Sequence, residues 1–304
     1  MCLRSPLASA ACHGPAATPW PALCLCFNAL VWGLSWWPFR QLQTLGLHPL
    51  WATVVVYLVA VVVISVARPA TWRHLVRTPA LWLLLVASGT TNAAFNWSMV
   101  IGDVVRVVLL FYLMPLWAVL LARLLLGEAL TATAALRVVL ALAGAAIVLW
   151  PPGGGWPLPS TLADTLGIIG GFSFALNNVM LRREAARPEA ARALAMFAGG
   201  AIVAGTLATA LALRGQVPWL PALAPAWGLG TLPLSAVFLL SNLALQQGAA
   251  RLPANVTAVV MLTEVLVAAA SAQWLGGGVM TPRLMMGGAL IVAAAVLAGL
   301  DRRA

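Results

Sequence analysis

One acidic side chain interrupts a long apolar segment near the C-terminal end of the chain. Glu264 is surrounded by valine, leucine, methionine and alanine residues, and an ion at the centre of a transmembrane helix costs about 2.5–3.5 kcal/mol on insertion scales. Its carboxyl group is therefore protonated, paired or exposed to water. Glu264 is a candidate for coupling proton movement to a solute or for binding a solute amine. A hydrogen bond to a neighbouring helix is the structural alternative.

Amide, hydroxyl and aromatic side chains are the other groups in apolar segments that could bind a solute. Trp32 and Trp36 are four residues apart, so one helix face would carry both rings beside Ser35. Pro115 lacks the N–H of a helix interior and would free a backbone carbonyl. Each group could instead serve helix packing, where a hydrogen bond contributes about 0.6 kcal/mol. The predicted substrate-binding residues are Trp32, Ser35, Trp36, Asn92, Asn96, Tyr112, Pro115, Asn177, Asn178, Asn242 and Gln246.

Residues typical of metal and nucleophile chemistry are missing from the apolar segments. His13, His48 and His74 all lie outside them, and the four cysteines fall near the N-terminus without histidines at matching spacing. The sequence contains no HExxH motif, phosphate-binding loop or nucleophile elbow. We therefore predict no catalytic residue, no metal and no cofactor, and a membrane-embedded enzyme is disfavoured.

Composition places the apolar segments in a lipid bilayer. Of 304 residues, 62% are hydrophobic and 8% are charged, with a mean hydropathy of +0.98, whereas soluble domains have about 45–50% apolar and 25% charged residues. The net charge of +10 comes from arginines scattered between apolar blocks. Scattered arginines are typical of membrane topology signals, and no nucleic-acid partner is predicted.

The apolar blocks predict an all-α integral membrane fold of ten transmembrane helices. A span needs about 20 apolar residues, and the run "PPGGGWPLPS" from 151 to 160 separates five blocks from five. Because five is odd, the two halves form inverted repeats. Residues 1–21 are then an N-terminal tail, 22–150 the first repeat, 151–161 a linker, 162–300 the second repeat and 301–304 a C-terminal tail. The predicted spans are 22–40, 49–67, 80–99, 104–126, 134–150, 162–181, 193–213, 227–247, 254–275 and 284–300.

The arginines predict the orientation of these spans. With a cytoplasmic N-terminus, only Arg40, Arg106, Arg214 and Arg283 of the 17 basic residues lie on the far side. Cytoplasmic loops are enriched in positive charge. Both termini are therefore predicted to be cytoplasmic, with the linker periplasmic, in a bacterial inner membrane. Asp103 and Arg106 share a helix start and are expected to pair with each other.

Polar side chains are concentrated in six of the ten predicted spans. Spans 1, 3, 4, 6, 8 and 9 carry most of them, whereas the fifth span has only Arg137 and the tenth has none. This distribution predicts a polar cavity lined by those six spans, with spans 2, 5, 7 and 10 outside it.

Three apolar segments share a pattern: "LVWGLSWWPFR" in the first span, "LLFYLMPLWAVLLARLLLGEALT" in the fourth and "VVMLTEVLVAAASAQWLGG" in the ninth. Together with the layout they resemble the drug/metabolite transporter superfamily, and within it the EamA-type permeases. The resemblance implies two EamA repeats around a central cavity, and transport, often export, of amino acids or other small metabolites. It matches the family's proline and loop glutamate to Pro115 and Glu128, and its second-repeat glutamate to Glu264. Val265 replaces the proline that usually follows, and Gly277 replaces the second loop glutamate.

The sequence thus predicts a permease that moves a small solute, an amino acid or a related metabolite, out of the cell by alternating access, with proton coupling as an option. A membrane-embedded enzyme and a non-transporting structural membrane protein are the alternatives, and the amount of buried polarity disfavours the second. The identity of the solute, the direction, the coupling and the oligomeric state are left open.

Overall fold

The computed structural model describes residues 20–126, 131–151, 156–249, 251 and 260–300, and every regular element within these ranges is a helix. The all-α prediction is confirmed for this part of the chain. The helices are α1 (Trp20–Leu34), α2 (Trp36–Thr44), α3 (Pro49–Ala67), α4 (Thr71–Arg77), α5 (Pro79–Ile101), α6 (Val104–Phe111), α7 (Met114–Leu126), α8 (Ala132–Leu149), α9 (Leu162–Arg183), α10 (Glu189–Leu213), α11 (Pro225–Ala249), α12 (Thr263–Leu275) and α13 (Pro282–Leu300).

Proline, glycine and capping side chains set the helix ends. Pro49 and Pro79 begin α3 and α5, where a missing N–H costs no helical hydrogen bond. A capping box opens α9: the Thr161 hydroxyl accepts from the Asp164 N–H at 3.1 Å, and the Asp164 carboxylate accepts from the Thr161 N–H at 3.3 Å. Gly276, with φ of 70°, ends α12 in the left-handed conformation.

Six stretches are long and apolar enough to cross a membrane: Trp20–Thr44, Pro49–Ala67, Val104–Leu125, Ala132–Leu149, Glu189–Leu213 and Pro225–Gly248. The helices α5 and α9 fall outside this set because Asn92, Asn96, Asn177 and Asn178 lower their hydropathy. The chain is therefore an integral membrane protein of several spans. The full number of ten and the inverted repeat stay predictions.

Two predicted spans are interrupted three residues before a proline. The first span divides into α1 and α2 at Ser35, and the fourth divides into α6 and α7 after Phe111. Pro38 and Pro115 cannot donate a backbone hydrogen bond to the preceding turn, which explains both interruptions. Ser35 Oγ instead donates to the Trp32 carbonyl at 2.7 Å.

Two large hydrophobic clusters and a small one around Leu121, Ala175 and Val179 form the core of the described residues, and each draws helices from both halves of the sequence. The first cluster joins α3 and α5 to α10 and α11. The second cluster joins α6 and α8 to α12 and α13. The helix α9 packs along α5, and α1 packs between α11 and α12. The segments 22–150 and 162–300 are therefore not separately packed bodies.

Glycines allow α5 and α10 to cross at short distance. A Cβ added at Gly199 would lie 2.0 Å from the Leu85 carbonyl oxygen, and one added at Gly89 would lie 2.3 Å from the Gly199 carbonyl oxygen. Small residues at such a crossing bring two backbones into contact. This crossing fixes the polar helix α5 beside the second half of the chain.

Candidate functional site

A small cavity lies inside the first cluster, between α1, α3, α5, α10 and α11. Its volume is about 20 Å³, which is room for about one water molecule. Amide and hydroxyl groups form one part of its wall, and aromatic and apolar side chains form the rest. The lining residues are Trp32, Tyr57, Ser88, Asn92, Met196, Phe197, Phe238 and Asn242.

A chain of hydrogen bonds forms the polar wall of the cavity. The Tyr57 hydroxyl donates to Asn92 Oδ1 at 2.5 Å, and Asn92 Nδ2 donates to the Ser88 carbonyl at 2.8 Å. Ser88 Oγ donates to the Met196 carbonyl on α10 at 3.3 Å. Because each group in such a network orients the next, the Asn92 amide is held in one orientation between α3 and α5.

The opposite wall carries a second amide, on α11. Gln246 Nε2 donates to Asn242 Oδ1 at 2.8 Å, and Asn242 Nδ2 has no acceptor among the described residues. At the adjacent position, Asn28 Nδ2 donates to the Ser241 carbonyl at 3.0 Å and to Ser241 Oγ at 2.7 Å. These bonds fix α11 against α1, so the Asn242 amide faces the cavity from a rigid position.

The aromatic side of the cavity is built around Trp32. Its ring meets Phe238 edge-on at a centroid distance of 4.8 Å and Phe95 at 6.1 Å. Tyr57 lies 6.1 Å from Phe238 and 5.4 Å from Phe197. Rings at these distances attract one another and can contact a flat solute.

The structure corrects the predicted lining of the cavity. Spans 2 and 7 were expected to lie outside it, but Tyr57 of α3 and Met196 and Phe197 of α10 line it. The prediction rested on the number of polar side chains in each span, and it left out α3 because this helix is strongly apolar. Tyr57 is one of only two tyrosines in the chain, and that rarity was the available signal.

Glu264 and Tyr112, both predicted site residues, contact each other in the second cluster. The Tyr112 hydroxyl lies 3.1 Å from Glu264 Oε2 and 3.1 Å from the Met261 carbonyl oxygen. Glu264 is 6% exposed and Tyr112 is 2% exposed, and no ion pair to Glu264 occurs among the described residues. The one phenolic hydrogen can serve only one of its two acceptors at a time.

Pro115 lies at the start of α7, and the carbonyl that it frees is occupied by packing. A continuous helix would use the Phe111 carbonyl to accept from residue 115. That oxygen instead lies against α9, where a Cβ added at Gly171 would be 2.3 Å away. The contact with α9 favours helix packing over solute binding as the role of the Phe111 carbonyl.

Trp36 is absent from the lining of the cavity and is 1% exposed. A binding surface shared by Trp32 and Trp36 stays a prediction. Trp36 Nε1 donates to Ser271 Oγ at 3.0 Å, and its ring fills the space where Gly277 has no side chain. Trp36 thus anchors α2 to α12.

The remaining predicted asparagines lie outside the lining of the cavity. Asn96 Nδ2 donates to Thr53 Oγ1 at 3.0 Å, and Asn177 Nδ2 donates to Asn178 Oδ1 at 3.4 Å. The buried Oδ1 atoms of Asn96 and Asn177 have no hydrogen-bond partner. An unpaired buried acceptor costs about 1–3 kcal/mol, so both oxygens favour a donor from water or a solute.

Arg106 pairs with Asp164 of the second half, and not with the Asp103 carboxylate. The two bonds, from Arg106 Nε and Nη2, are 2.6 and 2.9 Å long. Asp103 instead caps α6 by accepting from the Arg106 N–H at 2.9 Å, and it accepts from the Val279 N–H at 3.0 Å. The expected pairing is wrong because Asp164, 1% exposed, requires a counter-charge that Asp103 does not.

Metal ligands do not cluster in this part of the chain. Among the described residues there is no group of three or more histidine, cysteine, aspartate or glutamate side chains that could hold a metal ion. Glu128, the loop glutamate matched by resemblance, lies outside the described residues.

Residues 19–150 match the model of the EamA-like transporter family. This segment, which includes the first predicted repeat, is similar to that family. The EamA family is part of the drug/metabolite transporter superfamily, so the resemblance predicted from the sequence is confirmed. EamA proteins are transporters, and the apolar helices agree with a protein that contacts the lipid bilayer and small solutes.

Structural comparison shows the same fold elsewhere, whereas no curated protein matches the chain. One crystal structure of a protein covers 91% of this chain and 96% of its own, with a TM-score of 0.54 and 16% sequence identity. At this identity the likeness concerns the fold alone. It extends the similarity beyond the EamA match into the second half.

The EamA match contains part of the candidate site. Trp32, Asn92 and Tyr112 lie within residues 19–150, whereas Asn242 and Glu264 lie beyond them. Both the cavity and the Tyr112–Glu264 contact therefore combine the EamA half with the second half of the chain.

Proposed function

We propose that the protein is a permease that moves a small metabolite across the bacterial inner membrane by alternating access. The observation that carries this proposal is a cavity within the membrane interior of an EamA-family chain, lined by fixed amides and aromatic rings. Buried polar groups inside a bilayer are costly and mark solute pathways. The N–H groups of Asn242, which have no acceptor among the described residues, are available to such a solute.

The wall of the cavity favours a small polar solute with an apolar or flat part. Asn92 and Asn242 offer amide groups, while Trp32 and Phe238 offer ring surface. An amino acid or a related metabolite has both kinds of group. Export is the proposed direction, as the family resemblance implies.

Alternating access requires the cavity to widen. About 20 Å³ holds a water molecule, and a metabolite needs several times that space. Trp32 of the cavity wall packs against both hydrophobic clusters, so a movement of one cluster against the other would displace this wall and widen the cavity.

Contacts between loops support ten alternating spans. Arg40 donates to the Gly102 carbonyl, Arg283 donates to the Trp150 carbonyl, and Trp51 Nε1 donates to a carbonyl in the segment before α11. The segments after α2, α5, α8, α10 and α12 thereby meet at one end of the molecule. That end carries the four far-side arginines, which supports the proposal that both termini are cytoplasmic.

Glu264 and Tyr112 are the proposed proton-coupling pair. In one arrangement the Tyr112 hydroxyl donates to an ionised Glu264 carboxylate. In the other it donates to the Met261 carbonyl, and a protonated Glu264 donates to the Tyr112 oxygen. The two arrangements differ by one proton and need little movement, as a proton relay requires.

Uptake into inside-out membrane vesicles tests the proposed function. A panel of labelled amino acids and other small metabolites is offered at the exposed cytoplasmic face, and saturable accumulation above vesicles lacking the protein is expected. Trp32→Ala, which removes a cavity wall, should raise the concentration for half-maximal uptake. Trp37→Ala is the matched control because Trp37 lies in the same predicted span but is 43% exposed and is absent from the cavity lining. Absence of protein-dependent accumulation across the panel would contradict the proposal.

A further inference from the structure

The short helix α2 lies between the two hydrophobic clusters, at the end of the molecule opposite the predicted cytoplasmic face. Phe39 and Leu42 belong to the first cluster, and Trp36 belongs to the second. The break at Ser35 separates α2 from α1, so α2 is a distinct segment that bridges both clusters. Any opening between the clusters at this end must displace α2.

Arg40 connects α2 to the C-terminal ends of α5 and α12 through hydrogen bonds. Its Nη2 donates to the Gly102 carbonyl, after α5, at 2.6 Å and lies 3.4 Å from the Gly277 carbonyl oxygen, after α12. Helix C-termini carry partial negative charge and attract a cation. The guanidinium also lies over the Trp36 ring at 4.9 Å.

Three further charges complete a four-charge cluster, which we define as Arg40, Asp103, Arg106 and Asp164. Arg106 joins α6 to α9 through Asp164, and Asp103 joins α6 to the turn after α12 through the Val279 N–H. The two positive and two negative formal charges balance. Bidentate arginine–carboxylate pairs are among the stronger hydrogen-bonded contacts.

The turns around the four-charge cluster leave no free space. A Cβ added at Gly102 would lie 2.6 Å from Ala163 Cβ, and one added at Gly278 would lie 2.5 Å from Asp103 Oδ2. The turn after α5, the start of α9 and the turn after α12 are thus in contact. These contacts leave no passage for a solute between the three turns.

The closed end and the cavity are separated by a layer of rings. Along α5 the order is Ser88 and Asn92 at the cavity, then Phe95, and then Gly102 beside the four-charge cluster. Phe95 contacts Trp32, and Phe39 of α2 lies 6.1 Å from Phe238. A solute that leaves the cavity toward this end must pass the rings and then the charges.

We infer that the four-charge cluster is a latch that closes the transport path on the side opposite the cytoplasm, and that breaking the Arg106–Asp164 pair opens this side. The inference rests on the proposed function and topology. It assigns to these residues a gating role, in addition to the effect of the arginines on the orientation of the chain in the membrane. Arg106 and Asp164 act on the solute through the position of α2, α6 and α9, without touching the cavity.

Cysteine accessibility tests the latch without knowledge of the solute. In a variant lacking the four natural cysteines, Ser88→Cys places a thiol on the cavity wall, where the serine is 2% exposed. A membrane-impermeant maleimide is added from the periplasmic side of cells with a permeabilised outer membrane. We expect slow labelling with the latch intact and labelling at least tenfold faster after Asp164→Asn, which retains the shape of the side chain but loses its charge.

The pair itself is tested by a double-mutant cycle. Arg106→Gln alone and combined with Asp164→Asn should give the same acceleration as Asp164→Asn, because each change breaks the same contact. Arg283→Gln is the matched control: Arg283 donates to the Trp150 carbonyl at the same end, but α8 and α13 are also held by the close approach of Gly144 and Gly287.

The outcomes separate the latch from the proposed function. Unchanged Ser88→Cys labelling in a folded Asp164→Asn protein, judged by its elution as a single species in detergent, would overturn the latch even if transport is observed. Equal acceleration by Arg283→Gln would also overturn it, as a general loosening of that end. Faster labelling in the absence of any solute transport would support the latch while contradicting the permease.

Discussion

At the scale of single residues, the Tyr112–Glu264 contact is the least explained by helix packing. A leucine or methionine at either position would fill the same volume without a buried carboxyl group. The chain instead keeps an acid that is 6% exposed beside a phenol with two acceptors. A group that gains and loses a proton within a closed environment accounts for both residues.

Glu264→Gln is expected to abolish proton-driven accumulation while leaving exchange of solute across the membrane intact. Glutamine retains the size and a hydrogen bond to Tyr112, but it cannot release a proton. The measurement compares uptake driven by an imposed pH gradient with exchange at equal pH. Thr263→Val, at the adjacent position, serves as the control. Retained proton-driven uptake in the Glu264→Gln protein would reduce Glu264 to a structural residue.

Trp36→Ala is expected to destabilise the protein and not to change solute affinity specifically. Its ring is fully buried against Gly277 and its N–H is bonded to Ser271, and tryptophan to alanine in a packed core costs about 3–5 kcal/mol. Trp36→Phe should cost about 1 kcal/mol, the size of the lost hydrogen bond. Thermal melting in detergent measures both. If the Trp36→Ala protein melts at the normal temperature but needs a higher solute concentration for half-maximal uptake, Trp36 belongs to the binding site.

Residue type and depth in an apolar segment select Asn92 and Asn242, which line the cavity, and Tyr112 and Glu264, which contact each other. Their roles in binding and coupling stay predictions. The division of these residues between two clusters depends on which helices become neighbours, and spacing within one segment does not encode that.

At the scale of elements, close helix crossings set the position of the polar helices. The helix α5 carries Ser88 and Asn92 to the cavity and Gly102 to the four-charge cluster. It is fixed by its crossing with α10 at Gly89 and Gly199. Loss of that crossing would move both sites together.

Gly199→Ala is therefore expected to destabilise the protein by about 1–3 kcal/mol, the usual cost of overpacking. The added Cβ would meet the Leu85 carbonyl oxygen at 2.0 Å, and a backbone atom cannot move aside as a side chain can. Gly205→Ala, on the same helix, is the matched control because its nearest neighbour would be Val54 Cγ2 at 3.4 Å. Equal melting temperatures for the two variants would show that α5 and α10 are more widely separated.

Helix bounds were largely predictable, and helix interruptions were predictable only in part. Prolines and glycines mark most of the ends, and Pro115 was recognised as a disruption. Pro38 has the same effect on the first span. Because it lies near the expected end of that span, the sequence does not distinguish it from a proline that simply ends a helix. Hydropathy alone also underestimates α5 and α9, because the asparagines that suit them to a site make them less apolar.

At the scale of the whole molecule, helices from both halves of the sequence pack together in each of two large clusters. This arrangement was not predictable from the sequence, because hydropathy gives the number and order of helices but not their neighbours. It has a functional consequence. The cavity, the Tyr112–Glu264 contact and the four-charge cluster all include residues of both halves, so relative motion of the clusters would alter the three sites at once.

The proposed function requires that this protein, without any partner, moves a solute through the cavity. Counterflow in liposomes that contain only the purified protein measures this directly, with the solute that accumulates in the vesicle panel loaded inside and a trace of labelled solute outside. We predict transient accumulation of label above its equilibrium level, lost in Asn242→Leu and retained in Trp37→Ala. Label that only equilibrates, at the rate of protein-free liposomes, would contradict the account.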